Sequence, residues 1–257
     1  MRRTRTGIAY ASGGTEGPLL LLLHGLGATG AVWTRFLAEF QESWPGRWAA
    51  PDLRGHGLSL AQPPYGYAVH AADMAELATE LGAPSVTVLG HSFGGVVGAV
   101  LGSGWYGVAV DRVVALGVKI DWTDDEVARA QAMARRPRQE FGSAAEAAER
   151  HLKLAGLREL VDPAEPVARA GVRVIDGGWA AALDPRAFGA VGPSVETVLS
   201  RCAAPLRLAA GSGDVMVGLD TMRRIDPDAV VLDGLGHNAH YEKPAAVWEL
   251  LQPDTVR

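Results

Sequence analysis

Short apolar runs recur along this 257-residue chain at intervals that leave room for a helix between them. Gly7–Ala11, Leu19–Leu23, Trp48–Ala50, Val86–Leu89, Val113–Val118, Leu206–Ala209 and Val230–Leu232 have strand length. Between them, helical spacing of apolar positions predicts helices over Val32–Glu42, Val69–Leu81, Phe93–Leu101 and Ala245–Leu251. Strands that alternate with helices predict a mostly parallel, doubly wound α/β sheet covered on both faces. The unbroken run Leu19–Leu23, opened by Pro18 and closed by Gly25, reads as a central strand buried on both sides.

The rhythm stops between residues 121 and 200. This stretch offers helices near Asp124–Arg135 and Ala144–Ala155 and no convincing strand. It reads as a helical cap insertion at 121–200, splitting a core formed by 1–120 and 201–257. Asp125, Glu126, Arg129, Arg135 and Arg136 make a solvated charged face in this reading, with Val127, Ala130 and Met133 turned inward.

Composition narrows the function. Net charge is −5, with only Lys119, Lys153 and Lys243 as lysines, so there is no basic footprint for nucleic acid. The charge also favours mostly uncharged substrates over polyanions. Cys202 is the one cysteine, which rules out an intrachain disulfide and makes the cytoplasm the expected compartment. Met1-Arg2-Arg3 leads into a polar, Gly-rich stretch, and Leu19–Leu23 is too short for a signal core or membrane span. Oligomeric state is not legible.

Chemistry in such sheets sits beyond the carboxyl ends of the strands, and polar or glycine-rich turns lie there. They are His24-Gly25-Leu26-Gly27, Asp52-Leu53-Arg54-Gly55-His56-Gly57-Leu58-Ser59, Gly90-His91-Ser92-Phe93-Gly94, Gly211-Ser212-Gly213-Asp214 and Gly234-Leu235-Gly236-His237. The third joins a strand to a helix and has the G-x-S-x-G form of a nucleophile elbow. In motif, order and strand position together, the chain resembles the α/β-hydrolase superfamily over nearly its full length, least so in the insertion.

The resemblance implies a cofactor-free and metal-free serine hydrolase acting on small to medium carboxylic esters. Lactones and diketones stay open as substrates, and so does a non-catalytic binding module on the same fold. It assigns Ser92 as nucleophile, His237 as base and Asp214 as the acid that orients the base, in the chain order expected for the fold. Asp121, after an earlier strand, competes with Asp214. Backbone N–H groups of Leu26 and Phe93 become the oxyanion hole, and His24 holds the loop. The Asp52–Ser59 turn, including Arg54 and His56, reads as structural. His240 reads as a packing or capping residue, with a His237/His240/Asp214 metal site as the lesser alternative. Trp33, Trp122, Trp179 and Met216 are candidates for the pocket wall.

Overall fold

The computed structural model describes residues 1–252. Ten strands are formed: β1 (Arg2–Arg3), β2 (Ala9–Gly14), β3 (Leu19–Leu23), β4 (Arg47–Pro51), β5 (Val86–His91), β6 (Val110–Leu116), β7 (Val172–Ile175), β8 (Gly178–Ala181), β9 (Leu206–Gly211) and β10 (Val230–Leu232). Eight of them make one sheet in the order β1-β2-β4-β3-β5-β6-β9-β10, and β7 and β8 pair by themselves. From β4 to β10 neighbours run parallel, while β1 and β2 add an antiparallel edge. The chain lays β4 on one side of β3 and then crosses to lay β5 on the other. The crevice above β3 and β5 is therefore the topological switch point, where open sheets bind ligands.

Leu19–Leu23 is fully buried because its side chains alternate between two cores. Leu20 and Leu22 face Trp33, Phe36 and Val247, whereas Leu19, Leu21 and Leu23 face Met74, Leu77 and Val97. Each such leucine contributes about 1.5–3 kcal/mol by leaving water. Helices α1 (Thr34–Phe40), α2 (Tyr67–Glu80) and α3 (Phe93–Leu101) supply Phe36, Met74, Leu77 and Val97; Trp33 comes from the 3-10 turn Gly30–Trp33 before α1, and Val247 from the helix over Pro244–Trp248. The edge strand lies further along than the apolar run suggests. Gly7 turns back at φ 94, and the strand continues through Gly13, over which the Trp48 ring lies so closely that a Cβ would come within 2.7 Å.

Residues 121–200 hold α4 (Asp124–Ala134), α5 (Ala144–Ala155), α6 (Pro166–Ala170) and α7 (Val195–Ser200). Two expectations are corrected there. The segment contains a hairpin, β7–β8, turning at Asp176-Gly177 with Gly177 at φ 93. Val127 is not turned inward: it is 40% exposed, and no residue of α4 is buried. Helices α8 (Leu219–Ile225), α9 (Ala239–Glu242) and α10 (Pro244–Trp248) follow the last two strands. Among the described residues no helix is long and apolar enough to cross a membrane.

Candidate functional site

Ser92 sits between β5 and α3 at φ 50, ψ −116, the one non-glycine residue at positive φ among those described. Such backbone is strained for an L side chain and persists only where packing over-determines it. The packing is visible. A Cβ on Gly90 would lie 2.4 Å from the Gly94 carbonyl oxygen, and one on Gly94 would lie 2.3 Å from that of Leu23. Ser92 N–H donates to Leu116 O at 2.7 Å, tying the turn to the end of β6.

Asp214 follows β9 and His237 follows β10. The Asp214 side chain is fully buried; its Oδ2 lies 2.8 Å from His237 Nδ1 and its Oδ1 accepts the Met216 N–H at 2.9 Å. A carboxylate accepts, so His237 carries its proton on Nδ1 and presents Nε2 as a free acceptor. The competitor Asp121 instead accepts a hydrogen bond from the Thr221 hydroxyl. Ser92 and His237 share one corner through His91, whose ring lies 4.6 Å from that of His237 and whose Nε2–H donates to His237 O at 2.9 Å. Among the described residues no hydrogen bond joins the Ser92 hydroxyl to His237 itself.

The loop after β3 is held by two neutral imidazoles. His24 donates from Nδ1 to Gly25 O and accepts the Leu53 N–H at Nε2, 2.9 Å away. His56 donates from Nδ1 to Arg54 O and accepts the Gly27 N–H at Nε2, 3.1 Å away. Sequence reasoning left His56 as a turn residue and missed that it clamps the Leu26 loop; the only signal was its place beyond a strand end. The N–H groups of Leu26 and Phe93 donate to no other described atom, so both remain available to a ligand. In the Asp52–Ser59 turn, Asp52 accepts from Gly30 and Leu58 N–H, and Arg54 grips Asp73 with contacts of 2.6 and 2.8 Å. These are internal, structural contacts.

Burial separates the histidines. His56 and His151 are pushed down to about 4, and His70 and His240 to about 3, by desolvation of the charged ring. His24 and His91 are held well below the usual histidine value for the same reason. Only His237 of the seven retains an exposed side-chain surface, at 21%. His240 is enclosed by the Trp33 and His91 rings, at 4.6 and 4.4 Å. Among the described residues no group of three His, Cys, Asp or Glu is arranged to hold a metal.

The pocket-wall candidates do not come together. Trp33 is completely buried against Phe36 and His240, because the 3-10 turn folds it under the sheet loops and into the core. Trp179 is pinned in β8 by a bridge to Phe141. Trp122 is exposed and packs under Lys119. Met216 alone adjoins the site, through its contact with Asp214.

The sequence profile of the Alpha/beta hydrolase family matches residues 20–250. The chain belongs to that family. The magnesium-chelatase 30 kDa subunit of Rhodobacter capsulatus is 35% identical over 112 residues, 43% of this chain and 38% of that protein. Lipase LipV of Mycobacterium tuberculosis is 40% identical over 85 residues, 33% of this chain and 31% of that one. The chain thus spans well under half the length of these curated relatives. A thioesterase domain from the curacin biosynthetic pathway superposes with a TM-score of 0.76 at 21% identity, covering 95% of this chain and 94% of that one. That likeness carries the fold.

Proposed function

We propose that the protein is a serine hydrolase that cleaves small to medium carboxylic esters through an acyl-enzyme. The observation that carries this reading is the 2.8 Å hydrogen bond from His237 Nδ1–H to Asp214, at the corner that holds a serine strained to φ 50. Ser92 Oγ attacks the ester carbon and its proton passes to His237 Nε2, a contact that in such sites tightens only when substrate is bound. The Leu26 and Phe93 N–H groups receive the oxyanion, a role in which losing one donor costs about 2.7–4 kcal/mol. Asp214 keeps the imidazole tautomer and stabilises its cation. His237 then protonates the departing alcohol, and water repeats the cycle to release the acid. Residues 121–200 act as a cap over the crevice. The absence of any possible intrachain disulfide supports a cytoplasmic setting.

A fluorophosphonate probe tests the reading. It is expected to label the wild-type protein and not the Ser92→Ala variant. A folded wild type that resists the probe and turns over no nitrophenyl ester points instead to a binding module.

A further inference from the structure

A cavity of about 120 Å³ opens within residues 121–200, and three of its lining residues are Arg136, Arg138 and Arg150. No carboxylate lines it. Arg136 and Arg138 flank Pro137 in the loop after α4. Arg150 lies on α5 one turn before Leu154, which also lines the cavity, so the two share a helix face. Among the described residues none of the three arginines is in an ion pair. Arg138 Nε is buried without a hydrogen-bond partner. Arg173 stands close enough that burial first and the Arg138 charge second pull it below its usual range. The nearby carboxylate, Asp184, is already engaged by Arg186 and by the Tyr65 hydroxyl. In a chain of net charge −5, this is a local positive hollow with an unmet donor in it.

The hollow abuts the Leu26 loop. Leu183 lines it and belongs to the small apolar cluster with Tyr65 and Ala187, and Leu154 and Phe188, which also line it, pack against that cluster as Leu26 does. A Cβ on Gly27 would come within 2.8 Å of Leu154 O, and Leu183 bridges His56, the residue that holds Gly27. From these observations we infer that Arg136, Arg138 and Arg150 form an anion subsite that selects esters carrying a small terminal oxyanion group, a carboxylate or phosphate, a few bonds from the scissile carbonyl. Guanidinium is suited to either group because its fixed fork donates two hydrogen bonds at once. The placing of the ester rests on the serine-hydrolase reading above. It replaces the uncharged substrate expected from net charge alone, since local charge decides what a cavity holds.

The test uses the full chain in two arms. In the first, Ser92→Ala protein is titrated calorimetrically with monomethyl glutarate, propyl phosphate and the neutral methyl butyrate. Saturable binding of either anion, absent for the neutral ester and weakened about 10- to 100-fold by Arg138→Gln or Arg150→Gln, is the expected result. Binding of only one anion identifies the group. In the second arm, wild type is assayed with nitrophenyl glutarate and nitrophenyl butyrate. The ratio of their kcat/KM is expected to favour the charged ester and to fall about 10- to 100-fold in the same variants. Arg135→Gln, which lies outside the cavity, leaves the ratio unchanged. Circular dichroism confirms that each variant is folded. No preference for either anion in a protein whose Ser92 takes the fluorophosphonate overturns the subsite and leaves the hydrolase standing. Anion binding lost in the arginine variants of a protein that resists the probe supports the subsite and removes the hydrolase.

Discussion

The loops above the sheet and the outer part of the segment over residues 121–200, where α4 lies, hold their polar groups by opposite means. Above the sheet, Ser92, His237 and the Leu26 loop are fixed by close backbone packing and by buried, neutral histidines that accept single N–H groups. Within residues 121–200, α4 has no buried residue and keeps its shape through local devices: the Thr123–Glu126 capping box, three acidic residues in its first turn and the Lys119–Glu126 pair. A network built by packing has one geometry, which chemistry needs. One built by local capping can change its outward residues at little cost, which suits selection among substrates.

The contrast is tested most strongly by two aspartates, one from each region. Asp214→Asn is expected to lower kcat by about 10⁴-fold, because an amide at that position favours the wrong imidazole tautomer. Asp121→Asn, at the start of residues 121–200, is expected to stay within about threefold, since its partner is Thr221. Steady-state rates on a nitrophenyl ester decide the matter. If only the second change abolishes turnover, the acid has been assigned to the wrong strand end.

Acid exposes the cost of holding histidines neutral. A ring that titrates near 6.5 when unfolded and near 3 or 4 when folded binds its proton first in the unfolded chain, so stability is intact above about pH 6.5 and falls as pH drops toward 4. Each such ring removes on the order of 1.4 kcal/mol per pH unit in that window. His70 is the cleanest probe. Both its ring nitrogens are buried without partners, and its ring meets the edge of Phe93 at 5.0 Å. His70→Phe is expected to match or exceed wild-type stability at pH 7.5 and to show a shallower fall between pH 6.5 and 4 in urea titrations. An unchanged slope would mean that His70 does not contribute to the acid sensitivity.

What was legible in the chain follows the same division. Leu19–Leu23 and Phe93–Leu101 were found with their bounds because burial almost all round leaves an unmixed apolar signal, and Val230–Leu232 because its apolar run is short and polar residues lie close on both sides. The turn that carries Ser92 was legible as a strand-to-helix join because its strained backbone leaves no room for a Cβ at Gly90 and Gly94. Trp33 was misjudged: proximity to a strand end says nothing about which way a 3-10 turn carries a ring. The β7–β8 hairpin was missed because its residues are mostly half-exposed and do not alternate, although Asp176-Gly177 between two Val/Ile and Trp/Ala runs is a recognised hairpin turn. Arg136 was read as part of a solvated face and Arg138 and Arg150 were given no role, since sequence does not show that a loop and a helix from separate stretches bring the three around one hollow.

Within residues 121–200 the same contrast separates two neighbouring helices. Helices α4 and α5 begin with the same device, a hydroxyl and a glutamate three residues on exchanging bonds with each other's backbone, at Thr123/Glu126 and Ser143/Glu146. Losing such a cap costs about 1 kcal/mol. In α5 that loss falls on a helix anchored by buried Ala147, Ala148, His151, Leu152 and Ala155, so Ser143→Ala is expected to lower the global melting temperature slightly while amide exchange within α5 stays slow. α4 has no such anchor. Thr123→Ala is therefore expected to leave the melting temperature almost unmoved and to speed exchange across Asp124–Ala134 by about fivefold, the factor that 1 kcal/mol gives. Because Arg136 and Arg138 hang from the end of that helix, the same variant also reads the anion subsite: loosening their support without touching either guanidinium should weaken monomethyl glutarate binding by no more than that factor. A collapse of the whole fold on Thr123→Ala would show instead that α4 is part of the core, and the division between packed and capped regions would not hold.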